Sequence, residues 1–491
     1  MTFTVMTFAP VQGFIERSRK LRDLYGSSFI LSHLARALCE AGQSELGGAD
    51  TLVSPALINV TQGTPNQIIL AGNFPEIQGR RALLKAWKEI VDQCRTWIEA
   101  QIPAEYTWKR HWELWGNHAW EFFWGQGETI TAAREEINRA KRSRDWVGIN
   151  WQGESSTLSG ADAIAWPGLG RKRDSRDIRL GEDDREIREF YKKLQSLTVL
   201  GEAFVDATEQ LSIPELIKRL VTYHVVAKRI GIQGEVPDSF RDIKLREQRT
   251  FWFAGDGDKI GEYFRQLKEN GQDESTALRQ FSQAMLEWGE NTLKPAVDGK
   301  LGRIVYAGGD DFLGVLYPAD THAFSPQASL AWFYERFPQI WRQHGQDIKV
   351  SVGAVLAGKQ VPQRDILQQA REAEKSAKKQ GRDRIALRVL FNGGNHIEWV
   401  CPWDFLPPIF ANYHDRDNGK NWTHIYNDVA VLASRRGLAS PAVAFALFEV
   451  YFGAENRQTL EQNPSHYIGT ASVSDWVNNL AQVGFQLCSN T

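Results

Sequence analysis

The stretch GRIVYAGGDDFLGVLY, residues 302–317, decides the reading of this chain. Two apolar runs flank Gly308-Gly309. Tight hairpins need the positive φ that glycine tolerates, so the stretch reads as two antiparallel strands joined at a glycine turn. The turn carries adjacent carboxylates, Asp310 and Asp311. Alone, it is as readily a solvated hairpin tip as a site. A second segment tips the balance: FWFAGDGDKIGEYF, residues 251–264, ends its apolar run at Asp256, 54 residues before Asp310, with Asp258 two residues on. Laid beside the hairpin in a palm-type sheet, Asp256, Asp310 and Asp311 offer only oxygen ligands, the set that suits magnesium or manganese. Two such ions, about 3.5–4 Å apart, are the machinery of nucleotidyl transfer. Gly255 and Gly257, with Gly308 and Gly309, leave room for phosphates to approach the backbone. The helix starting near 259 offers its N–H groups to anions. That glycine spacing is weak alone and gains weight only from the carboxylates.

Working outward, strands are expected at 250–255, 302–307, 312–317, 349–356 and 384–391, and helices at 259–269, 275–293, 327–344 and 363–379. This is a ferredoxin-like order with the hairpin at its centre. The strand 349–356 carries Ser351 and Gly353. The amphipathic helix after it ends in Lys378, Lys379 and Arg382. Lys378 suits phosphate as a point charge, whereas Lys379 and Arg382 complement the helix C-terminal dipole. A second unit of the same pattern precedes it: strand 2–9, helix 29–41, strands 52–60 and 67–71, helix 76–100. The fold class is α+β, with two ferredoxin-like palm domains and helical middle and C-terminal domains. The expected division is 1–150 (first palm with an aromatic-rich insertion), 151–245 (helical middle, with helices at 187–210 and 214–230), 246–395 (catalytic palm) and 396–491 (helical).

Composition bounds the rest. A chain of 491 residues exceeds one ordinary core. A formal net charge of −2 excludes a globally basic nucleic-acid binder, so any RNA surface is local. The four cysteines, Cys39, Cys94, Cys401 and Cys488, stand far apart, which argues against a cysteine-built zinc site and a disulfide framework and points to a cytoplasmic setting. No stretch reaches the roughly 20 apolar residues of a membrane span. The run 106–124, with Trp108, Trp112, Trp115 and Trp120 around Lys109, Arg110 and His111, fits base stacking or an aromatic core; the core is the commoner outcome. Basic candidates for RNA or subunit contact are Arg17, Arg19, Lys20 and Arg22, and separately Arg139, Lys141, Arg142 and Arg144, though such clusters are more often solvated helix faces. The charged stretch 171–188 reads as a linker.

The segments GDGDKIG, YAGGDDF, SVGAVLA and AEKSAKKQGRD, in this order, resemble the palm domain of the large, polymerase-like subunit of type III CRISPR effector complexes, and the related GGDEF nucleotide cyclases. FAPVQGFIERSRKLRDLYGSSFILSHLARAL resembles the opening of that subunit's first, inactive palm. TPNQIILAG is similar to a strand of the same palm, and EQLSIPELIKRL to the middle helical segment. The resemblance implies that Asp256, Asp310 and Asp311 serve metal and catalysis, that Asp258 belongs to the same motif, and that Ser351 and Lys378 contact nucleotide. It implies ATP as substrate, cyclic oligoadenylate as product, and switching by pairing of guide RNA with target RNA, beside the backbone and small subunits of the complex. Two departures bear on it. The chain starts at the first palm, so no HD nuclease is expected. GESSTLSG (153–160) and Ser212 stand where cysteines would hold zinc, so no zinc is expected. Two alternatives stay open: a catalytically idle palm anchoring guide RNA, and a stand-alone GGDEF-like cyclase.

Overall fold

The computed structural model describes residues 2–144, 148–151, 153–171, 181–200, 204–206, 208–232, 249–299, 301–317, 325–358 and 360–489. The chain forms two compact units, one of Met1–Arg241 with Asn270–Leu286, the other of Asp242–Glu269 with Glu287–Thr491. Among the described residues no helix is long and apolar enough to cross a membrane.

The first unit is built on a four-stranded sheet. Its strands are β1 (Phe3–Ala9), β2 (Leu52–Ser54), β3 (Ile68–Ala71) and β4 (Glu121–Gly127), in the order β2-β3-β1-β4. β1 lies antiparallel to both β3 and β4, and its central place explains why nearly every residue of FTVMTFA is buried. Helices Leu21–Leu46 and Glu76–Gln101 complete a ferredoxin-like β-α-β-β-α-β order. The second buries Leu83, Trp87, Ile90, Val91, Cys94 and Ile98, the three-and-four spacing of one helix face. The fourth strand was hidden in the aromatic run: EFFWGQG is β4, and Trp108 and Trp112 are wholly buried, with Trp108 against Trp112 and Phe190. Those two rings are core.

Several members of the two basic clusters have partners inside the unit, with Arg17, Arg139 and Arg144 still largely exposed. Arg17 lies 3.5 Å from Asp162, Lys20 pairs with Asp206 and with Glu209 (2.8 Å), and Arg22 covers the Phe204 ring. In the other cluster Arg139 meets Glu136 and Arg144 meets Glu121, while Lys141 lies near the Phe123 ring. The segment 153–160 and Ser212 come together through Glu215, which accepts from the Ser156 hydroxyl (3.2 Å) and the Ser212 N–H (2.7 Å). Of the expected linker 171–188, residues 172–180 lie outside the described residues, and a helix begins at Asp184. That helix ends at Gln195 rather than near 210. The domain boundary expected at 245–246 also lies outside the described residues.

Among the described residues the second unit carries six strands: β5 (Thr250–Asp258), β6 (Gly302–Ala307), β7 (Phe312–Leu316), β8 (Lys349–Ala357), β9 (Arg384–Leu390) and β10 (His396–Pro402), in the order β10-β9-β8-β5-β7-β6. Strands β8-β5-β7-β6 reproduce the ferredoxin-like order, with β5 antiparallel to both β7 and β8. β9 runs parallel to β8, which requires a crossover, and helix Gln363–Lys379 supplies it. β10 corrects the sequence reading, in which 396–491 was helical. The turn at Gly393-Gly394, with Phe391 N–H donating to Asn395 C=O (2.9 Å), folds HIEWVCP back on β9 as a hairpin. The helices follow only after Pro402, and the Trp476 indole on the last of them donates to Val400 C=O (2.9 Å). Residues 270–286, read from sequence with the catalytic palm, cluster with the first unit instead.

Candidate active site of the second palm

The glycine turn does what its sequence asks. Gly309 has φ 152°, and Gly308 N–H donates to Asp311 C=O (3.3 Å), closing the β6–β7 hairpin. Asp310 is drawn to β5 by its own C=O, which accepts from Gly257 N–H (3.1 Å). A Cβ on Gly257 would stand 3.0 Å from that of Asp310, so this glycine makes room for the aspartate. Gly255 has a different reason: a Cβ there would lie 2.1 Å from the Phe312 ring, so it serves packing between β5 and β7.

Asp256 and Asp258 share one face of β5 but meet different neighbours. Asp256 is one-third exposed and ion-paired to the Lys378 ammonium. Asp258 is buried. Its carboxylate accepts from the Ser351 hydroxyl (2.8 and 2.9 Å) and from Asp383 N–H (2.9 Å). That second bond closes a turn in which Arg382 and Asp383 both have positive φ, 64° and 51°, a conformation costly for residues with a Cβ. Asp258 and Ser351 thus tie β5, β8 and the end of helix Gln363–Lys379 together, and Ser351, fully buried, turns its hydroxyl to Asp258. Substituting Ser351 by Ala leaves a buried carboxylate short of a donor and is expected to cost about 1–3 kcal/mol of stability. Urea unfolding checks this. Unchanged stability with a raised apparent KM for nucleotide would mark Ser351 as a substrate contact instead.

Three residues that the sequence reading passed over complete the site. Glu374 pairs with Lys378 one helical turn on (2.7 Å). Arg371 hydrogen-bonds Tyr306, and the Tyr306 hydroxyl lies 3.3 Å from Asp311 Oδ1. Arg371, Glu374 and Lys378 stand at three-and-four spacing on one helix face, a signal present in the sequence. Asp311 keeps solvent access on one side. Desolvation by the surrounding protein, then the negative charges of Asp256 and Asp310, push its carboxyl up to about 7. Its solvent access tempers the first cause, so the like-charge crowding is the firmer one. Among the described residues, Asp415, Asp417 and His424 are the one trio of acidic or metal-binding side chains whose ligand atoms all converge within 4.8 Å. The palm aspartates are therefore gathered but not closed on one point, and a lysine answers their charge.

Asp311 carries a pH prediction. Its folded pKa lies above the ordinary 3.8, so its favourable contribution is complete below that value and is lost as pH rises through about 7. A cation bound there competes with the proton. The rise in Tm on adding magnesium should therefore be larger at about pH 8 than at about pH 6, and Asp311→Asn should remove the difference. Equal shifts at both pH values would contradict the assignment.

The family model described as CRISPR-associated protein Cmr2, N-terminal, matches residues 3–98, and that described as Cas10/Cmr2, second palm domain, matches residues 252–386. The latter span covers β5 to β9 with Asp256, the hairpin and Lys378. The chain belongs to the Cas10/Cmr2 family. It is a large subunit of the type III CRISPR class. The fold agrees with solved structures of that family at low identity. A Type III-B Cmr-beta structure in the apo state matches at 11% identity and TM-score 0.58, covering 99% of this chain and 81% of that one. A Csm1–Csm4 cassette in complex with cA4 matches at 14% identity and TM-score 0.52, covering 99% and 70%. The same cassette in complex with AMPPNP matches at 13% and 0.50, covering 99% and 70%. No curated protein matches the chain. The site described above thus lies on a Cas10/Cmr2 second palm domain.

Proposed function

We propose that this chain joins ATP into cyclic oligoadenylate at the second palm, within a type III complex holding guide RNA and the backbone and small subunits, when target RNA pairs with the guide. The observation that carries the reading is the meeting of Asp256, Asp310 and Asp311 at adjoining strand ends, where Gly257 N–H holds Asp310 C=O (3.1 Å) and the neighbouring carboxylates raise the Asp311 pKa. Crowded carboxylates without His or Cys are a donor set for magnesium or manganese, so these three side chains are the ones to hold it. When bound, the metal would supply charge neutralisation on the triphosphate and a lowered pKa for the attacking hydroxyl. The rest falls to the chain. Lys378 reaches the triphosphate as a point charge, and Asp258 with Ser351 fixes the helix that presents it. A ribose 3′-hydroxyl attacks the α-phosphate of the next ATP and pyrophosphate leaves, so positioning and electrostatics supply most of the rate.

The test is the product. The assembled complex, given target RNA, magnesium and either ATP or GTP, should yield rings of adenylate by mass spectrometry and nothing from GTP. Guanylate rings without RNA would favour a stand-alone cyclase. RNA binding with no product from either nucleotide would favour an idle scaffold.

A further inference from the structure

We propose that the Lys378 ammonium is the resting occupant of the cation site, and that Glu374 is the carboxylate that retains it when a divalent cation takes Asp256. The inference rests on the metal-binding reading above and deepens it. Lys378 contacts two carboxylates at once: Asp256, on a strand, and Glu374, on its own helix at 2.7 Å. An ammonium has three donors on a four-carbon stem and can exchange one partner for another by rotating bonds. The two partners are not equivalent. Asp256 is held across the sheet, by β8 and opposite Ser351, and faces the hairpin carboxylates. Glu374 lies one turn back on the helix and follows Lys378 wherever that helix stands.

The helix itself has nowhere to go. A Cβ on Gly353 would lie 2.1 Å from Glu374 N and 2.3 Å from Ala370 C=O, so the helix rests directly on the β8 backbone. Its far end is pinned where Asp383 N–H donates to Asp258. Backbone contact at one point and a buried carboxylate at the other leave the lysine side chain as the moving part. The charge balance agrees. Asp256, Asp310, Asp311 and Glu374 face Lys378 and Arg371, so the pocket is still net negative with its own lysine in place and accepts a further cation. Glu374 is thus a positioning residue: it acts on the cation site through Lys378.

Manganese titrated into the full chain without nucleotide, read by the loss of free-ion EPR signal, tests this. Lys378→Met should bind Mn²⁺ at a concentration about tenfold lower than wild type, because no internal cation competes for Asp256. Glu374→Gln should bind several-fold more weakly, because Lys378 then has Asp256 as its main anionic partner. The double variant should behave like Lys378→Met. If it binds several-fold more weakly than Lys378→Met, Glu374 is itself a metal ligand and the inference is overturned. Mn²⁺ binding indifferent to Lys378→Met overturns it too, while leaving the cation site standing. Absence of Mn²⁺ binding in every variant overturns both.

Discussion

Replacing Asp310 and Asp311 together by alanine is expected to abolish nucleotide joining while leaving the protein folded and the complex assembled. On the proposed function these carboxylates would hold the metal and through it supply several kcal/mol of transition-state stabilisation, and each 1.36 kcal/mol is tenfold in rate, so the loss should be on the order of a thousandfold or more. The fold should not suffer. The β5–hairpin link is made by backbone, Gly257 N–H to Asp310 C=O, and survives the substitution. Removal of two charges from a crowd that raises the Asp311 pKa relieves repulsion, so Tm without metal should stay level or rise. Rates of product formation, measured beside RNA binding and Tm, separate the outcomes. A double variant that still makes product at more than about a tenth of the normal rate would move catalysis elsewhere.

The largest effect on stability is expected in the first unit, at Arg219. Its guanidinium is 1% exposed and donates to Asp23 Oδ1 (2.8 Å), to both Glu209 oxygens (2.5 and 3.0 Å) and to Phe204 C=O (2.7 Å). It joins helix Leu21–Leu46 to helix Ile213–Leu220 where the two come closest: a Cβ on Gly26 would lie 1.8 Å from Lys218 C=O. Arg219→Met leaves the buried Asp23 carboxylate without its ion-pair partner and Glu209 with Lys20 alone, and breaking such a pair costs about 3–5 kcal/mol. Adding Asp23→Asn and Glu209→Gln should recover part of it, because the penalty lies in the unpaired charges. The network is also acid-sensitive. Burial alone would raise Glu209, but Arg219 and Lys20 hold it down to about 2, against an ordinary 4.5. A folded pKa below the unfolded one stabilises fully above about pH 4.5 and fades as pH falls toward 2, so Glu209→Gln should flatten the acid limb of unfolding. Chemical denaturation at neutral and acid pH checks both statements. A loss under about 1 kcal/mol in Arg219→Met would mean that water reaches the site.

The sequence was most legible where chemistry and periodicity coincide. The hairpin at Gly308-Gly309, the strand ending in Asp256 and the helix before Lys378 each carry a local signal, and each lies within a residue or a few of its expected place. β4 and β10 were not legible for two physical reasons. EFFWGQG begins inside a run where aromatic and charged residues mix, with aromatics on both sides of the boundary, so no period marks where helix Lys109–His118 stops and a strand begins. HIEWVCP follows a glycine turn but precedes helical sequence, and only pairing with β9 decides it. The site shows the same limit. Asp256 and Asp258 are two residues apart on one strand face, so spacing cannot say which one faces the cleft. A turn far along the chain, at Asp383, covers Asp258 and leaves Asp256 to Lys378. Arg371 and Glu374 were readable from helical spacing once Lys378 was singled out, since all three fall on one face.

The central claim is that Asp256 and the hairpin aspartates together hold the metal that handles ATP. A crystal of the chain grown with manganese and a non-hydrolysable ATP analogue, examined by anomalous scattering at the manganese edge, tests it most directly. The account predicts a peak shared by the Asp256 carboxylate and at least one of Asp310 and Asp311, with the triphosphate beside it and Lys378 turned from Asp256. Analogue bound with no manganese at Asp256, or manganese only at Asp415 and Asp417, would contradict it.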